Sequence, residues 1–405
     1  MQAVSPNLLD VWRKVGELAD RQKQKAYAVG GCVRDSLLGV RTRDVDIVVE
    51  GEVFPLAKAL EKQWGNPLIM HKRFGTASLG AFENRLRLDI AMARTEHYSS
   101  PGALPMVHSS DLPEDLVRRD ISINAIAVSL NKSTFGRIID PCGGLNDLKS
   151  RTIRAMHERS FHDDPTRIFR AVRYGFRYGF DLEFNTRRWL REAIRSSVMR
   201  AVSDDRWDRE WTLLVEEESP YGVIRELSRL GALEEFGVSP ETVKKSRRAF
   251  YVLSCAGGKK WGYNYLSAAW WLACLNPQRL SRRTEAAVAR LVHEAPLLKN
   301  AVARLGRNPM LGDLAGALKP FEWETVHYVL NLEENSALRK LLERYVNEWC
   351  AVNLWVTGDD LRRFGLPPGP RYRKLLDAVR EAVATGTIAS GRVFELRYLK
   401  SLIAL

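Results

Sequence analysis

Two aspartates separated by one residue, Asp44 and Asp46, form the pair with the clearest chemical meaning in this sequence. They lie in segment 44–50, DVDIVVE, whose β-branched residues predict a strand. Residues i and i+2 of a strand point to the same face, so the two carboxylates would stand side by side. Such a pair repels itself unless a cation bridges it, and Mg²⁺ prefers oxygen ligands.

We therefore predict a catalytic site in which Asp44 and Asp46 bind two Mg²⁺ ions. These ions could activate an attacking hydroxyl and neutralise a leaving pyrophosphate. Asp89, in the alternating segment 85–93, is a candidate third carboxylate because strand parity allows it, although a structural role fits it equally. The alternative for the pair itself is two solvent-facing aspartates at the start of a strand.

A Gly-Gly pair precedes these aspartates at the end of another predicted strand, segment 25–29. Gly30 and Gly31 allow a sharp turn and a close backbone approach, and amides at a following helix start can bind phosphate. Arg34, one helical turn later, could add a charged fork to the same phosphates. An ordinary tight turn is the alternative for the glycines.

Four charged residues recur every third position further along the chain, at Asp164, Arg167, Arg170 and Arg173. On one helix they would form a slowly drifting stripe. A carboxylate beside a guanidinium offers an acceptor and a donor fork, which together can imitate the Watson–Crick edge of a base. The alternative is a basic helix face that contacts RNA backbone or solvent.

Arg118, Arg119 and Asp120 precede a strand-like segment, 123–130. An arginine there could bind phosphate and the aspartate could accept a hydrogen bond from a ribose hydroxyl. The alternative is a salt-bridged junction between a helix and a strand.

The supporting elements change character along the 405 residues. The first 150 or so read as α/β, with helices over 6–24 and 54–64 and strands over 76–82 and 85–93, whereas helical spacing dominates after residue 153. The polar segment 95–113 contains Pro and Gly and is predicted to be a long functional loop without structure of its own.

Composition restricts the class of protein. Lys and Arg total 62 against 49 Asp and Glu, and this net charge of +13 favours a polyanionic partner. The five cysteines are scattered without a Cys-x-x-Cys pair, which argues against disulfides and thiolate zinc sites. No apolar run of about 18 residues and no basic-then-apolar leader is present, so we expect a cytoplasmic protein with no membrane association.

Several motifs together resemble one known family. GGCVRDSLLG…RDVDIVVEG resembles the signature of the class II tRNA nucleotidyltransferases and bacterial poly(A) polymerases. Further motifs follow in that family's order over roughly residues 25–215, and a tail element is similar to one found in many CCA-adding members. These motifs are ARTEHYSSPGALP (93–105), EDLVRRDISINAIA (114–127), IIDPCGGLNDL (138–148), FHDDPTRIFRAVRYGFRYGF (161–180) and TGDDLRRFGLPPGP (357–370).

The resemblance implies an α+β fold, with a polymerase-β-like head of mixed sheet and helices followed by an all-α neck, body and tail. The expected segments are a head at 1–153, a neck at 154–215, a body at 216–310 and a tRNA-binding tail at 311–405. By resemblance, Arg119 contacts the incoming nucleotide, Asp120 and Asn124 contact its sugar or support the site, Asp164 and Arg167 select CTP and ATP, and Arg170 and Arg173 approach the triphosphate.

The implied activity is template-independent addition of C, C and A to the tRNA 3′ end from CTP and ATP, with release of pyrophosphate. Addition of CC alone or of A alone are the alternatives, and the length of segment 95–113 disfavours CC alone. Poly(A) synthesis fits less well, because HKRF at 71–74 differs from the Gly-Arg-Arg/Lys-Phe element of those enzymes. Asp163 replaces the Glu that many members carry. A non-catalytic RNA-binding protein is the alternative from another class, and the oligomeric state is left open.

Overall fold

The computed structural model describes residues 4–71, 75–82, 86–255, 272–273, 275, 279–367 and 369–403. Residues 72–74, on which part of the comparison with poly(A) polymerases depends, lie outside this description. The chain divides into two compact units, Met1–Val243 with Gln278–Leu280 and Lys244–Pro277 with Ser281–Leu405. The division into four segments stays a prediction. None of the described helices is long and apolar enough to cross a membrane.

The first unit contains the predicted mixed sheet. Its seven strands follow the order β3-β4-β5-β2-β1-β8-β9, and β2 and β5 pair in parallel while the other neighbours are antiparallel. The strands of the unit are β1 Lys25–Val29, β2 Asp44–Glu50, β3 Leu68–His71, β4 Thr76–Phe82, β5 Leu86–Met92, β6 Arg94–His97, β7 Met106–Ser109, β8 Ala127–Ser129, β9 Ile138–Ile139, β10 Thr152–Ile153 and β11 Asp181–Leu182.

Helices accompany the sheet, and the chain after the sheet is mainly helical, as the sequence predicted. They are α1 Pro6–Arg21, α2 Gly31–Leu37, α3 Val53–Trp64, α4 Leu112–Val117, α5 Gly144–Ser150, α6 Ser160–Asp163, α7 Thr166–Tyr178, α8 Phe184–Arg195, α9 Asp204–Val215 and α10 Pro220–Arg229. Single 3₁₀ turns occupy Ser122–Asn124, Lys132–Thr134, Val198–Ala201 and Glu234–Phe236.

The prediction of an unstructured loop over 95–113 was wrong. β6 and β7 pair as an antiparallel hairpin, with Arg94 opposite Ser109 and His97 opposite Met106, and α4 begins at Leu112. Each strand has only four residues, and the pair forms a separate two-stranded sheet. A ribbon of this kind buries no continuous face, so it leaves no alternation of apolar and polar residues to detect.

An aromatic cluster holds the helices that follow the sheet. Phe169 of α7 lies 5.1 Å from the ring of Trp207 and 5.2 Å from that of Trp211, both on α9. Phe236 packs edge-on against both tryptophans, at 5.1 and 5.3 Å. All four side chains are fully buried. Burial of this much aromatic surface makes α7 and α9 a firm support for polar residues at their ends.

The second unit is helical among its described residues. One apolar core forms around Leu314 and Val329, and another around Leu361 and Val379. The helices are α11 Pro240–Cys255, which begins in the first unit, α12 Arg282–Ala303, α13 Leu311–Leu318, α14 Trp323–Leu332, α15 Ser336–Arg344, α16 Gly358–Arg363, α17 Pro370–Ala384 and α18 Arg392–Ile403, with a π turn at Tyr345–Trp349.

Gly16 of α1 provides a test of how this helix packs against the sheet. A Cβ at Gly16 would lie 1.9 Å from the carbonyl oxygen of Leu130, whereas a Cβ at Gly316 of α13 would meet nothing within 4 Å. Gly16→Ala is expected to cost roughly 1–3 kcal/mol through overpacking, whereas Gly316→Ala gains about 0.5–1 kcal/mol of helix stability. Thermal unfolding followed by circular dichroism measures both, and an unchanged midpoint for Gly16→Ala would contradict this packing.

Candidate active site

The paired aspartates lie on the central strand of the sheet. Asp46 of β2 is the register partner of Asp89 on the parallel strand β5. Burial raises the pKa of Asp46 to about 6, and the charges of Asp89 and Asp44 add to this rise against the opposing charge of Arg119. A carboxylate whose pKa is raised by neighbouring carboxylates belongs to a donor set suited to a divalent cation.

The donor oxygens therefore fit Mg²⁺, with Asp44 and Asp46 as its expected ligands. The described residues hold no group of three or more His, Cys, Asp and Glu side chains arranged to bind a metal ion. Asp89 accepts a hydrogen bond from the Ser78 hydroxyl of β4. Its role as a third ligand accordingly stays a prediction.

The Gly-Gly turn lies directly over the carboxylate of Asp46. Gly30 has a φ of +67°, and a Cβ there would lie 3.2 Å from Arg119 Nη1 and 3.4 Å from Asp46 Oδ2. Gly31 begins α2, and a Cβ at that position would lie 3.8 Å from the same oxygen. The absence of side chains in this turn lets Asp46 and Arg119 approach each other.

Arg34 is buried, with 3% of its surface exposed. Its guanidinium donates hydrogen bonds to Asn124 Oδ1 and to Asp35 Oδ1, and lies 4.7 Å from the ring centre of Tyr178. Asn124 Nδ2 donates in turn to Asp120 Oδ1 at 3.0 Å. The structure thus places Arg34 and Asn124 in one buried network, and their direct contact with a nucleotide stays a prediction.

Asp120 connects this network to α7. Its Oδ2 accepts hydrogen bonds from Arg170 Nε at 2.9 Å and Arg170 Nη2 at 2.7 Å. Burial alone would raise the pKa of Asp120, but the charge of Arg170 and the hydrogen bond from Asn124 hold it well below its usual range. Asp120 and Arg170 are therefore an ionised pair that fixes α7 to the segment between α4 and β8.

Asp115 was not predicted as a site residue. It is fully buried in α4, accepts from Arg118 Nε at 3.1 Å and Arg119 Nη2 at 2.9 Å, and also receives the backbone N–H of Arg94 at 3.3 Å. Burial opposes its ionisation, but the charges of Arg119 and Arg118 outweigh this effect and lower the pKa of Asp115. Its spacing, three and four residues before the arginines, could have revealed this contact.

One open cavity of about 300 Å³ collects much of the predicted site. Five predicted residues line it together, and the hairpin and Arg118 supply the rest of the wall. The predicted residues are Arg119, Asp120, Asp164, Arg167 and Arg170. The additional lining residues are Glu96, Tyr98, Pro105 and Arg118. Sequence reasoning missed the hairpin residues because it assigned no structure to their segment.

The pair predicted to read a base lies at the start of α7. Asp164 precedes this helix, so the prediction of one helical stripe is wrong for this residue. It is extended, with φ −134° and ψ 96°, because it is followed by Pro165. Arg167 on the first turn donates to Ser160 Oγ at 2.9 Å and to the carbonyl of Arg118 at 3.0 Å. These bonds fix the guanidinium inside the cavity.

Arg173 lies elsewhere. It is 2% exposed and pairs with Glu210 at 3.4 Å and Glu217 at 3.3 Å, and it is absent from the cavity wall. The expected spacing places it on α7, but the face it occupies packs towards α9 and the turn that follows. This placement gives Arg173 a contact between helices, and its approach to a triphosphate stays a prediction.

The arrangement suits a nucleotide. Arg118, Arg119 and Arg170 offer cationic donors for phosphate oxygens, while Asp164 and Arg167 offer an acceptor and a donor fork. Arg119 also lies against the turn that covers Asp46. A bound triphosphate and a metal-binding carboxylate would consequently meet at one end of the cavity.

Comparison with known proteins relates this chain to one domain family and to several enzymes. Residues 26–154 match the poly A polymerase head domain. The chain is 32% identical over 398 residues to an A-adding tRNA nucleotidyltransferase of Geobacter sulfurreducens, covering 93% of this chain and 45% of that protein. It is 37% identical over 204 residues to a CC-adding tRNA nucleotidyltransferase of Deinococcus radiodurans, covering 50% and 53%.

Solved structures match over the whole chain. The apo form II of a CCA-adding enzyme has a TM-score of 0.69 at 28% identity, covering 100% of this chain and 97% of that one. The Thermotoga maritima CCA-adding enzyme complexed with tRNA has a TM-score of 0.62 at 27% identity, covering 98% and 96%.

The sheet, the paired aspartates and the adjoining cavity therefore form one candidate nucleotide site, which α7 also lines. Residues 26–154 of this chain match the poly A polymerase head domain, and tRNA nucleotidyltransferases are among the proteins that the chain resembles. The chain spans about half or less of the length of the first curated relatives that it matches.

The raised pKa of Asp46 leads to a prediction for the metal-free protein. A folded-state pKa of about 6, above the ordinary 3.8, means that stability is lost as pH rises from about 4 to about 6. Asp46→Asn removes this loss. The free energy of unfolding of the variant should therefore exceed that of wild type by roughly 2–3 kcal/mol above pH ~7 and equal it below pH ~4. Thermal unfolding in a chelator measures the difference.

Asp10→Asn, at a carboxylate that is 67% exposed, is the control and should follow wild type at every pH. Addition of Mg²⁺ is expected to raise the unfolding midpoint of wild type and of the control, and to leave Asp46→Asn unchanged. A variant less stable than wild type above pH ~7 without metal would contradict the electrostatic origin of this shift.

Proposed function

We propose that this chain is a template-independent nucleotidyltransferase that adds C, C and A to the 3′ end of tRNA from CTP and ATP, releasing pyrophosphate. The observation that carries the proposal is the single cavity in which Asp164 and Arg167 face the same space as Arg119, which itself adjoins Asp46. Base recognition and phosphate chemistry would then occur on one bound nucleotide.

Asp44 and Asp46 would hold two Mg²⁺ ions. When bound, Mg²⁺ supplies a lower pKa for the terminal 3′-hydroxyl and neutralises charge on the leaving pyrophosphate. Arg119 would bind the phosphates beside Asp46, since Asp115 already directs its guanidinium into the cavity. Arg170 lies further along the wall, where its bonds to Asp120 fix its position.

Nucleotide choice follows from hydrogen-bonding groups. Cytosine and adenine share an exocyclic amine, which donates, next to a ring nitrogen that accepts. Asp164 can accept from that amine and Arg167 can donate to that nitrogen. Uracil and guanine reverse both groups, so each would set carbonyl against carboxylate and N–H against guanidinium. Unpaired groups of this kind cost about 1–3 kcal/mol each.

Addition of the terminal A alone is the second candidate. It is favoured by three relatives named A-adding tRNA nucleotidyltransferases, at 32%, 41% and 38% identity. One of them matches 93% of this chain, whereas a multifunctional CCA protein of Neisseria gonorrhoeae matches 52% at 32% identity. The pair Asp164 and Arg167 suits both activities, because C and A present the same pattern.

Extension of three tRNA transcripts, ending before CCA, after C and after CC, distinguishes these activities. Each transcript receives CTP alone, ATP alone or both, and products are resolved at single-nucleotide length. Full CCA addition predicts CC and then A on the shortest transcript, with termination. Extension of only the CC-ended transcript by ATP would establish the second candidate, and a ladder of A residues would indicate a poly(A) polymerase.

Asp44→Ala is expected to reduce incorporation at least about 10²–10³-fold on every transcript, through loss of charge stabilisation in the transition state. Asp10→Asn, on the exposed face of α1, is the matched control and should retain wild-type incorporation. Absence of any incorporation by wild type with Mg²⁺ or Mn²⁺ would overturn the enzymatic proposal in favour of a non-catalytic RNA-binding protein.

A further inference from the structure

Arg206, on the first turn of α9, bonds two groups that belong to different parts of the site. Its Nη2 donates to Asp164 Oδ1 at 2.7 Å, and its Nη1 donates to the carbonyl of Gly102 at 2.8 Å. The side chain is 25% exposed and lies outside the wall of the cavity. It therefore acts on the site through its two partners.

Asp164, the first partner of Arg206, is held through one of its two carboxylate oxygens. Asp164 Oδ1 accepts from Arg206, from the Thr166 backbone N–H at 3.1 Å and from Thr166 Oγ1 at 2.7 Å. Within the described part of the chain, no hydrogen-bond donor reaches Oδ2. Three donors on one oxygen fix the rotation of the carboxylate, so the other oxygen is the one available to a ligand.

The second partner belongs to the connection between β6 and β7. Gly102 has a φ of +71°, and a Cβ there would lie 3.0 Å from the carbonyl carbon of Ala201 and 3.1 Å from Val202 Cγ2. Its N–H donates to the carbonyl of Asp163 at 3.3 Å. The turn of the hairpin is thus packed closely against the segment that precedes α9, and α9 carries Arg206.

The same hairpin lines the cavity through Glu96, Tyr98 and Pro105. A guanidinium has a planar fork of donors and can bond two acceptors in fixed relative positions. Arg206 consequently ties the position of the hairpin wall to the rotation of the Asp164 carboxylate.

We propose that Arg206 is a positioning residue that determines nucleotide specificity. It presents Asp164 Oδ2 to the base and holds the hairpin wall in a fixed position relative to Asp164. This inference rests on the proposed function, in which Asp164 reads the base. A purely structural ion pair is the competing explanation. It predicts a loss of stability and an equal loss of activity with every nucleotide, whereas a positioning role predicts a change in the ratio between nucleotides.

The test measures kcat and KM for ATP, CTP, UTP and GTP on the transcript that wild type extends. Arg206→Ala is expected to lower the ratio of kcat/KM between accepted and rejected nucleotides about tenfold or more, mainly through a higher KM for the accepted ones. Arg206→Lys, which keeps a cation beside Asp164, should recover part of this ratio. Arg200→Ala is the matched control, since it breaks another arginine–carboxylate pair, with Glu235 at 2.7 Å.

Gly102→Ala provides an independent route and keeps the test informative should Arg206→Ala fold poorly. Displacement of the Gly102 carbonyl should lower the same ratio, and its effect should not add to that of Arg206→Ala, because both changes break one connection. Equal loss with all four nucleotides, or fully additive effects of the two substitutions, would overturn the role of Arg206. Failure of Asp164→Ala to alter the ratio would instead count against the proposed base recognition itself.

Discussion

The buried contact between Asp120 and Arg170 is the interaction on which the site depends. Asp120 lies between α4 and β8, near the sheet, and Arg170 belongs to α7. A buried carboxylate without a partner would cost several kcal/mol, so this pair cannot open without a large penalty. Through Asn124 the same carboxylate reaches Arg34 of α2. A single chain of hydrogen bonds thereby fixes the elements that carry the residues proposed to bind phosphate and base.

The acidic residues of the site have opposite electrostatic environments. Guanidinium groups outweigh the effect of burial at Asp115 and Asp120, whose pKa values are lowered. At Asp46 burial and two neighbouring carboxylates prevail over Arg119, and the pKa is raised to about 6. The first two carboxylates are already neutralised by the protein and serve to hold arginines in place. Asp46 lacks such compensation, which is the condition expected of a group that receives an external cation.

Sequence reasoning predicted the parts of this arrangement that rest on local rules. β2 spans Asp44–Glu50 as expected, because β-branched residues between turn residues mark a buried strand. Sequence reasoning missed the side-chain contacts that depend on tertiary packing. The spacing of Arg170 and Arg173 places both on α7 but does not reveal that one meets Asp120 and the other Glu210. Arg206 was missed for the same reason, since its partners lie 42 and 104 positions away.

Within the proposed function, the contacts of Asp164 and Arg167 do not by themselves separate C from A. Both bases present an amine donor beside a ring acceptor, so hydrogen bonding rejects U and G but accepts either of the others. The remaining difference is size, one ring against two. Size is sensed by the walls of a cavity, and here Glu96, Tyr98 and Pro105 of the hairpin form one wall. Arg206 bonds both the Gly102 carbonyl of the hairpin connection and the carboxylate of Asp164. A change in the position of the hairpin would therefore alter both the width of the cavity and the orientation of the carboxylate proposed to read the base.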